Sequence, residues 1–160
     1  MRSFRRSQST RGPLAIATAT DREAANLERC SWPVNPYQHI TPISQPGVLV
    51  LRVELTEVKD YMLAEALRYE LVHAVRAAKS NHFILDMGKM EFITSLACVA
   101  LIGLKHAVRD REGRLILTNL SEFIEKVLSA KRLLSPSQVN GQAAFEQAET
   151  VEAAMERFTN

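Results

Sequence analysis

The sequence is poor in cysteine and has no apolar run long enough to cross a bilayer. Its two cysteines, Cys30 and Cys98, have no CxxC or histidine spacing around them, so we expect free thiols and no metal site. The longest apolar stretch, which begins at Ser95, is far shorter than the roughly 20 residues of a spanning helix. The N-terminus also lacks the apolar core of a secretory signal. These absences predict a soluble, cytoplasmic protein with no membrane partner.

Common catalytic motifs are missing as well. The residues two before and two after Ser95 are Ile93 and Ala97, not the glycines of a GxSxG nucleophile elbow. There is neither a GxxxxGKS/T loop nor a GxGxxG turn to support nucleotide chemistry. The histidines are scattered, and His106, the nearest to Ser95 along the chain, is about three helical turns away from it. We therefore expect a protein that is not an enzyme and that needs no cofactor.

The composition is that of one globular domain with a basic tail. Of the 160 residues, 46% are hydrophobic and 24% are charged. Four of the 20 basic residues lie in the first dozen positions, so 16 remain in the rest of the chain against 18 acidic residues. Nucleic acid usually needs a clustered basic face on a folded element, and here the cluster is only a tail. No direct contact with nucleic acid is expected.

The first part of the chain has no sustained hydrophobic period. Prolines interrupt the sequence repeatedly up to Gly47, which is typical of extended or irregular chain. We expect residues 1–38 to form a disordered or irregular basic extension and residues 39–160 to form the folded domain.

From residue 39 onward the hydrophobic pattern alternates between that of strands and that of helices. Aliphatic and β-branched runs predict strands in HITPIS, GVLVLRVEL, HFILDMG, RLILTNL and AAFEQA. Apolar residues spaced by three and four predict helices after the caps Asp60, Ser121 and Thr150, and over 95–110 with Gly113 as C-terminal glycine. The alternation predicts an α/β fold with a four- to five-stranded mixed, mostly parallel sheet and about four helices.

Ser95 is a single polar residue at the start of the apolar stretch SLACVALIGL. It lies where a predicted strand is followed by a helix, and the first amides of a helix lack internal partners. Its hydroxyl can cap the helix by accepting an amide hydrogen bond, or it can carry a phosphoryl group with nearly two negative charges. Spacing alone favours capping and leaves phosphorylation open. Apolar residues on two faces of this helix indicate that one face binds a partner.

The segment HFILDMGKMEFITSLACVALIGLKHAVRDREGRLILTNLSEFIEKVL resembles the central signature of STAS domains. This fold is shared by bacterial anti-sigma factor antagonists, stressosome scaffold proteins and the cytoplasmic ends of sulfate transporters. The shared features are a strand ending in aspartate, a short loop before a serine, an apolar helix, a glycine turn, and a helix with a V-L pair near its end. The resemblance extends from about Gly47 to FEQAETVEAAM and implies a single STAS-like domain.

The resemblance also implies which residues carry the function. Ser95 falls on the serine that a cognate kinase phosphorylates in antagonists of this family, and Thr94 is the alternative acceptor. Asp86 falls on the aspartate that closes the preceding strand. The expected partner-binding residues are Asp86, Thr94, Ser95, Leu96 and Val99.

The implied mechanism is an exchange of protein partners. Unphosphorylated protein is expected to sequester an anti-sigma factor serine kinase and so release a sigma factor, and a PP2C-type phosphatase is expected to reset the phosphorylated form. The alternative is a stressosome-type scaffold protein that assembles with other STAS proteins.

Overall fold

Strands and helices alternate along the chain in the computed structural model, which describes residues 36–134 and 145–160. The predicted extension, residues 1–38, lies almost wholly outside the described residues, as does Cys30, and the boundary between extension and domain stays a prediction. Within the described residues the strands are β1 (Ile40–Gln45), β2 (Val48–Val53), β3 (His82–Asp86), β4 (Arg114–Thr118) and β5 (Glu146–Ala148). The helices are α1 (Tyr61–Ala77), α2 (Ser95–Asp110), α3 (Glu122–Ala130) and α4 (Val151–Thr159).

The five strands form one sheet in the order β1-β2-β3-β4-β5. β1 runs antiparallel to β2, and the other neighbouring pairs are parallel. Pro42 lies in β1, where it is tolerated because an edge strand needs fewer backbone donors. The predicted α/β class with a mixed, mostly parallel sheet is therefore confirmed.

Helices cover both faces of the sheet. Leu51 and Leu85 belong to the larger core cluster, which also contains buried residues of α1, α2 and α3. Ile84 and Ile116 point the other way and pack with Ala154 of α4. Burial on both faces explains why the central strands are continuous apolar runs. No helix in the described part of the chain has the length and apolar character needed to span a membrane.

The turn after α2 differs from the predicted glycine stop. Glu112, not Gly113, has the left-handed φ of 54°. The Glu112 amide donates to the Arg109 carbonyl at 2.8 Å and the Gly113 amide donates to the Val108 carbonyl at 2.9 Å, which is the Schellman pattern. Glycine is needed at 113 for a different reason, since a Cβ there would lie 2.6 Å from the Asn81 carbonyl oxygen.

Candidate functional site

The loop between β3 and α2 is held in place by the segment that precedes α1. The Thr56 carbonyl accepts hydrogen bonds from the amides of Glu91 and Phe92, at 2.8 and 3.2 Å. Met90 and Ile93 are buried in the core on either side of these two residues. The loop therefore has a fixed path, and Phe92 is left 52% exposed in front of α2.

Thr94 is the N-cap of α2. Its backbone is extended, with φ −103° and ψ 169°, and its hydroxyl oxygen accepts a hydrogen bond from the Ala97 amide at 3.4 Å. The same hydroxyl donates to the Val58 carbonyl at 3.1 Å. The capping role considered for Ser95 is thus filled by Thr94, whose hydroxyl both accepts and donates a hydrogen bond.

Ser95 is the first residue of α2 and is exposed. Because the preceding residue caps the helix, the fold does not need the Ser95 hydroxyl for capping. The amine of Lys131, at the end of α3, donates a hydrogen bond to Ser95 Oγ at 3.3 Å. The serine oxygen therefore lies at the surface, beside a positively charged side chain.

Large apolar side chains are exposed around this serine. Val99 is 54% exposed and Ile102 is 37% exposed, and their spacing of four and seven residues from Ser95 places all three on one face of α2. Phe92 and Phe123 form an edge-to-face pair with ring centroids 5.5 Å apart. We call these residues the Ser95 surface: Phe92, Ser95, Val99, Ile102 and Phe123. It has the character of a protein-binding surface.

Asp86 ends β3 as a buried carboxylate, 6% exposed. One oxygen accepts hydrogen bonds from the Gly88 amide at 3.0 Å and the Asn119 side chain at 2.8 Å, and the other accepts from Arg52 at 3.2 Å. Burial raises the pKa of this carboxyl, but the hydrogen bonds from Asn119, Gly88 and Arg52 outweigh it and hold the pKa below its usual value. The group ties together the ends of β2, β3 and β4.

Four of the five expected partner-binding residues come together at the start of α2. Thr94 and Leu96 are half-buried there, with Leu96 packed against the main core, while Ser95 and Val99 are exposed. The three hydrogen bonds of the Asp86 carboxylate, described above, go to residues outside this group. For all five residues the expected role in partner binding stays a prediction.

Sequence reasoning missed Phe92, Phe123 and Lys131. Phe123 could have been found, because Ile124 and Leu128 define the buried face of α3 and Phe123 lies off that face. No local pattern points to Lys131, which lies 36 residues after Ser95 in the sequence.

Cys98 lies one turn after Thr94 on α2, on its inner side. The thiol is free and the residue is 4% exposed, which confirms the predicted free thiol at this position. Burial raises the pKa of the Cys98 thiol above its usual value, although the nearby charge of Lys131 acts in the opposite direction. The thiol is therefore a neutral core group rather than a reactive one.

Two of the surface cavities formed by residues 36–134 and 145–160 lie apart from the Ser95 surface. One, of about 530 Å³, is formed at the turn between β1 and β2 and at the end of α1, with Gly47 and Ser80 in its wall. The other, of about 430 Å³, lies beside β5 and is lined by residues that include Gln147 and Arg157. Neither cavity is lined by Asp86, Thr94 or Ser95.

Comparisons with known proteins agree with this architecture. A chain from a structure of the stressosome is 12% identical to this protein, with a TM-score of 0.54. The match covers 75% of this protein and 96% of the stressosome chain. The anti-sigma factor antagonist SpoIIAA of Bacillus, in its phosphorylated form, is 21% identical with a TM-score of 0.52, covering 74% and 98%. A candidate anti-sigma factor antagonist from Thermotoga maritima is 16% identical with a TM-score of 0.63, covering 78% and 97%.

These likenesses show the shared fold. No curated protein sequence matches the chain. The family model of the STAS domain matches residues 39–137, which is more than half of the 160 residues. The chain therefore belongs to the STAS domain family.

Proposed function

We propose that this protein is an anti-sigma factor antagonist whose partner binding is switched by phosphorylation of Ser95. In the unphosphorylated state it binds an anti-sigma factor serine kinase in the cytoplasm, and the sigma factor is released. The observation that carries the proposal is an exposed serine hydroxyl, not needed for capping, beside exposed Val99.

Ser95 is a better phosphoryl acceptor than Thr94. The Thr94 hydroxyl is half-buried and makes two hydrogen bonds, so its modification would remove the cap of α2. Ser95 is exposed and its modification leaves that cap intact. In the reaction the kinase transfers the γ-phosphoryl group of ATP to Ser95 Oγ. An O–P bond forms, the bond to the β-phosphate breaks, ADP leaves, and the hydroxyl proton passes to a base of the kinase.

The phosphate changes the surface that the partner meets. It adds close to two negative charges beside Val99, Ile102 and Phe92. A partner that packs against these side chains would have to desolvate the dianion, which is costly without matching positive groups. The complex therefore separates. Hydrolysis by a PP2C-type phosphatase returns the serine and inorganic phosphate and restores binding.

The comparisons support this reading at the level of the family. SpoIIAA, which shares the fold, is an anti-sigma factor antagonist with a phosphorylated and an unphosphorylated form. The same kind of switch in this chain would need an accessible acceptor at a protein-binding surface, and Ser95 meets both conditions.

An affinity pull-down from the native cell's lysate tests the proposal, with wild type, Ser95→Ala and Ser95→Asp as baits. An ATP-binding serine kinase should be retained by wild type and Ser95→Ala and lost with Ser95→Asp. Ser44→Asp is the matched control, because Ser44 is an exposed serine on the edge strand β1. It should retain the kinase. The switch is excluded if all four baits bring down the same proteins.

The alternative function is that of a scaffold protein in a stressosome-type assembly. The observation that favours it is a second exposed apolar surface, on α1, formed by Tyr61, Met62 and Tyr69 at 62%, 75% and 71% exposure. Two separate binding surfaces suit a protein that contacts several neighbours. A scaffold should elute as a large complex in size-exclusion chromatography, whereas a switch antagonist should elute as a monomer or a weak dimer.

A further inference from the structure

The contact between Lys131 and Ser95 joins two distant parts of the chain. The amine donates to Ser95 Oγ at 3.3 Å across a separation of 36 residues. Among the described residues, Lys59, Lys89 and Lys126 each pair with a carboxylate, and no carboxylate lies within ion-pair distance of Lys131. Its contact is with a neutral hydroxyl, so its charge is not neutralised locally.

The backbone around Lys131 is fixed by the end of α3. The Arg132 amide donates to the Ser129 carbonyl at 2.9 Å and the Leu133 amide donates to the Leu128 carbonyl at 2.8 Å, a second Schellman pattern. Arg132 has a left-handed φ of 56°. Leu128 is buried and Leu133 packs against the main core, so the turn that carries Lys131 is anchored.

We propose that Lys131 is the counter-ion of phosphorylated Ser95 and forms a direct ion pair with its phosphate. The inference rests on the proposed function, because it takes Ser95 as the acceptor. The phosphoryl oxygens extend outward from Oγ, and an amine already 3.3 Å from Oγ lies within their reach. The hydrogen bond from the charged amine to a neutral hydroxyl becomes an ion pair with a dianion, in which both donor and acceptor are charged.

The ion pair gives phosphorylation a second effect on the Ser95 surface. In the unphosphorylated protein, Lys131 presents an uncompensated positive charge at the edge of this surface. An acidic group of the partner can pair with it. After phosphorylation the same amine is occupied by the phosphate, so the partner loses a favourable charge and meets an unfavourable one. One modification therefore acts on binding twice.

The test measures the second ionisation of the phosphate directly. Phosphoserine is installed at Ser95 during protein synthesis, and its pKa is followed by phosphorus NMR across a pH titration. Wild type should titrate about 0.5 pH units below Lys131→Met, because a nearby cation favours the dianion. Lys131→Arg should keep the wild-type value. Lys126→Met should also keep it, since Lys126 is an exposed lysine of α3 that pairs with Glu122.

Equal phosphate pKa values in wild type and Lys131→Met overturn the ion pair. Lys131 is exposed, so the variant is expected to fold, and circular dichroism checks this. The result does not depend on any kinase because the phosphate is installed synthetically. A pKa shift together with unchanged partners for Ser95→Asp supports the ion pair and excludes the switch. No pKa shift together with loss of the kinase for Ser95→Asp supports the switch and excludes the ion pair.

Discussion

Thr94 and Ser95 are adjacent hydroxyl residues with different roles. The extended backbone at Thr94 turns its hydroxyl toward the Ala97 amide, while Ser95 already belongs to α2 and points outward. The sequence could not assign these roles, because a Thr-Ser pair before an apolar helix fits a cap at either position. One residue of register decides which hydroxyl caps the helix and which lies exposed at the surface.

The buried Asp86 carboxylate allows a prediction about the stability of the fold. Asp86→Asn should lower the free energy of unfolding at pH 7 by about 1–3 kcal/mol, the usual cost of disrupting hydrogen bonds to a buried charged group. The asparagine amide would place N–H donors against Arg52 or against the donors from Gly88 and Asn119. Urea denaturation of both proteins at pH 7 measures the difference.

The same comparison made across pH tests the direction of the pKa shift. The pKa of Asp86 is lowered by folding, so its contribution to stability is present above the unfolded pKa of about 3.9 and is lost as pH falls through the folded value. The difference in free energy of unfolding between wild type and Asp86→Asn should therefore become smaller below about pH 4. Asp110→Asn, at an exposed aspartate ending α2, is the control and should show no such gap. A constant gap from pH 7 to pH 3 would contradict the argument.

At the scale of the element, helix starts were predictable because their signals are local. Asp60, Ser121 and Thr150 were all expected as caps, and each accepts a hydrogen bond from the amide three residues later. The end of α2 at Asp110 was also predicted correctly, but the role of Gly113 was not, because the need for glycine there comes from Asn81, in the turn before β3. A glycine just after a helix usually has the left-handed backbone, whereas here Glu112 has it.

At the end of α2, two neighbouring substitutions should change the stability of the protein in opposite directions. Glu112→Gly should stabilise the protein by about 1 kcal/mol, because glycine adopts the left-handed φ without steric cost. Gly113→Ala should destabilise it by about 1–3 kcal/mol, because its Cβ would clash with the Asn81 carbonyl. Thermal unfolding measured by circular dichroism gives both values. A neutral Gly113→Ala would contradict the clash with the Asn81 carbonyl, and a destabilising Glu112→Gly would contradict the benefit of glycine at a left-handed position.

At the scale of the whole molecule, the fold followed from the sequence but the site followed only in part. The order of strands and helices follows from local hydrophobic periodicity, which is why the α/β class could be predicted. Contacts between distant segments leave no such local pattern in the sequence. Asp86 with Asn119 and Ser95 with Lys131 are separated by 33 and 36 residues, and Phe92 meets Phe123 only after folding. The serine that we propose as the acceptor was therefore visible in the sequence, and its neighbours were not.

The two exposed apolar surfaces, on α2 and on α1, separate the two candidate functions. A charged side chain introduced into a binding surface loses its water when the complex forms and meets no opposite charge there. It should therefore weaken binding at that surface at least tenfold. Val99→Glu tests the Ser95 surface and Tyr69→Glu tests the surface of α1. Both positions are more than half exposed, so each change should alter the free energy of unfolding by about 0.5 kcal/mol or less.

For an antagonist, Val99→Glu should lose the kinase in the pull-down, while Tyr69→Glu should retain it. Neither change should alter the elution volume in size-exclusion chromatography. For a scaffold, wild type should elute as a large complex, and Tyr69→Glu should reduce it to a smaller species. A large complex that Tyr69→Glu breaks, together with a kinase that Val99→Glu still retains, would reject the antagonist in favour of the scaffold. The two substitutions thus assign the function to one face of the domain.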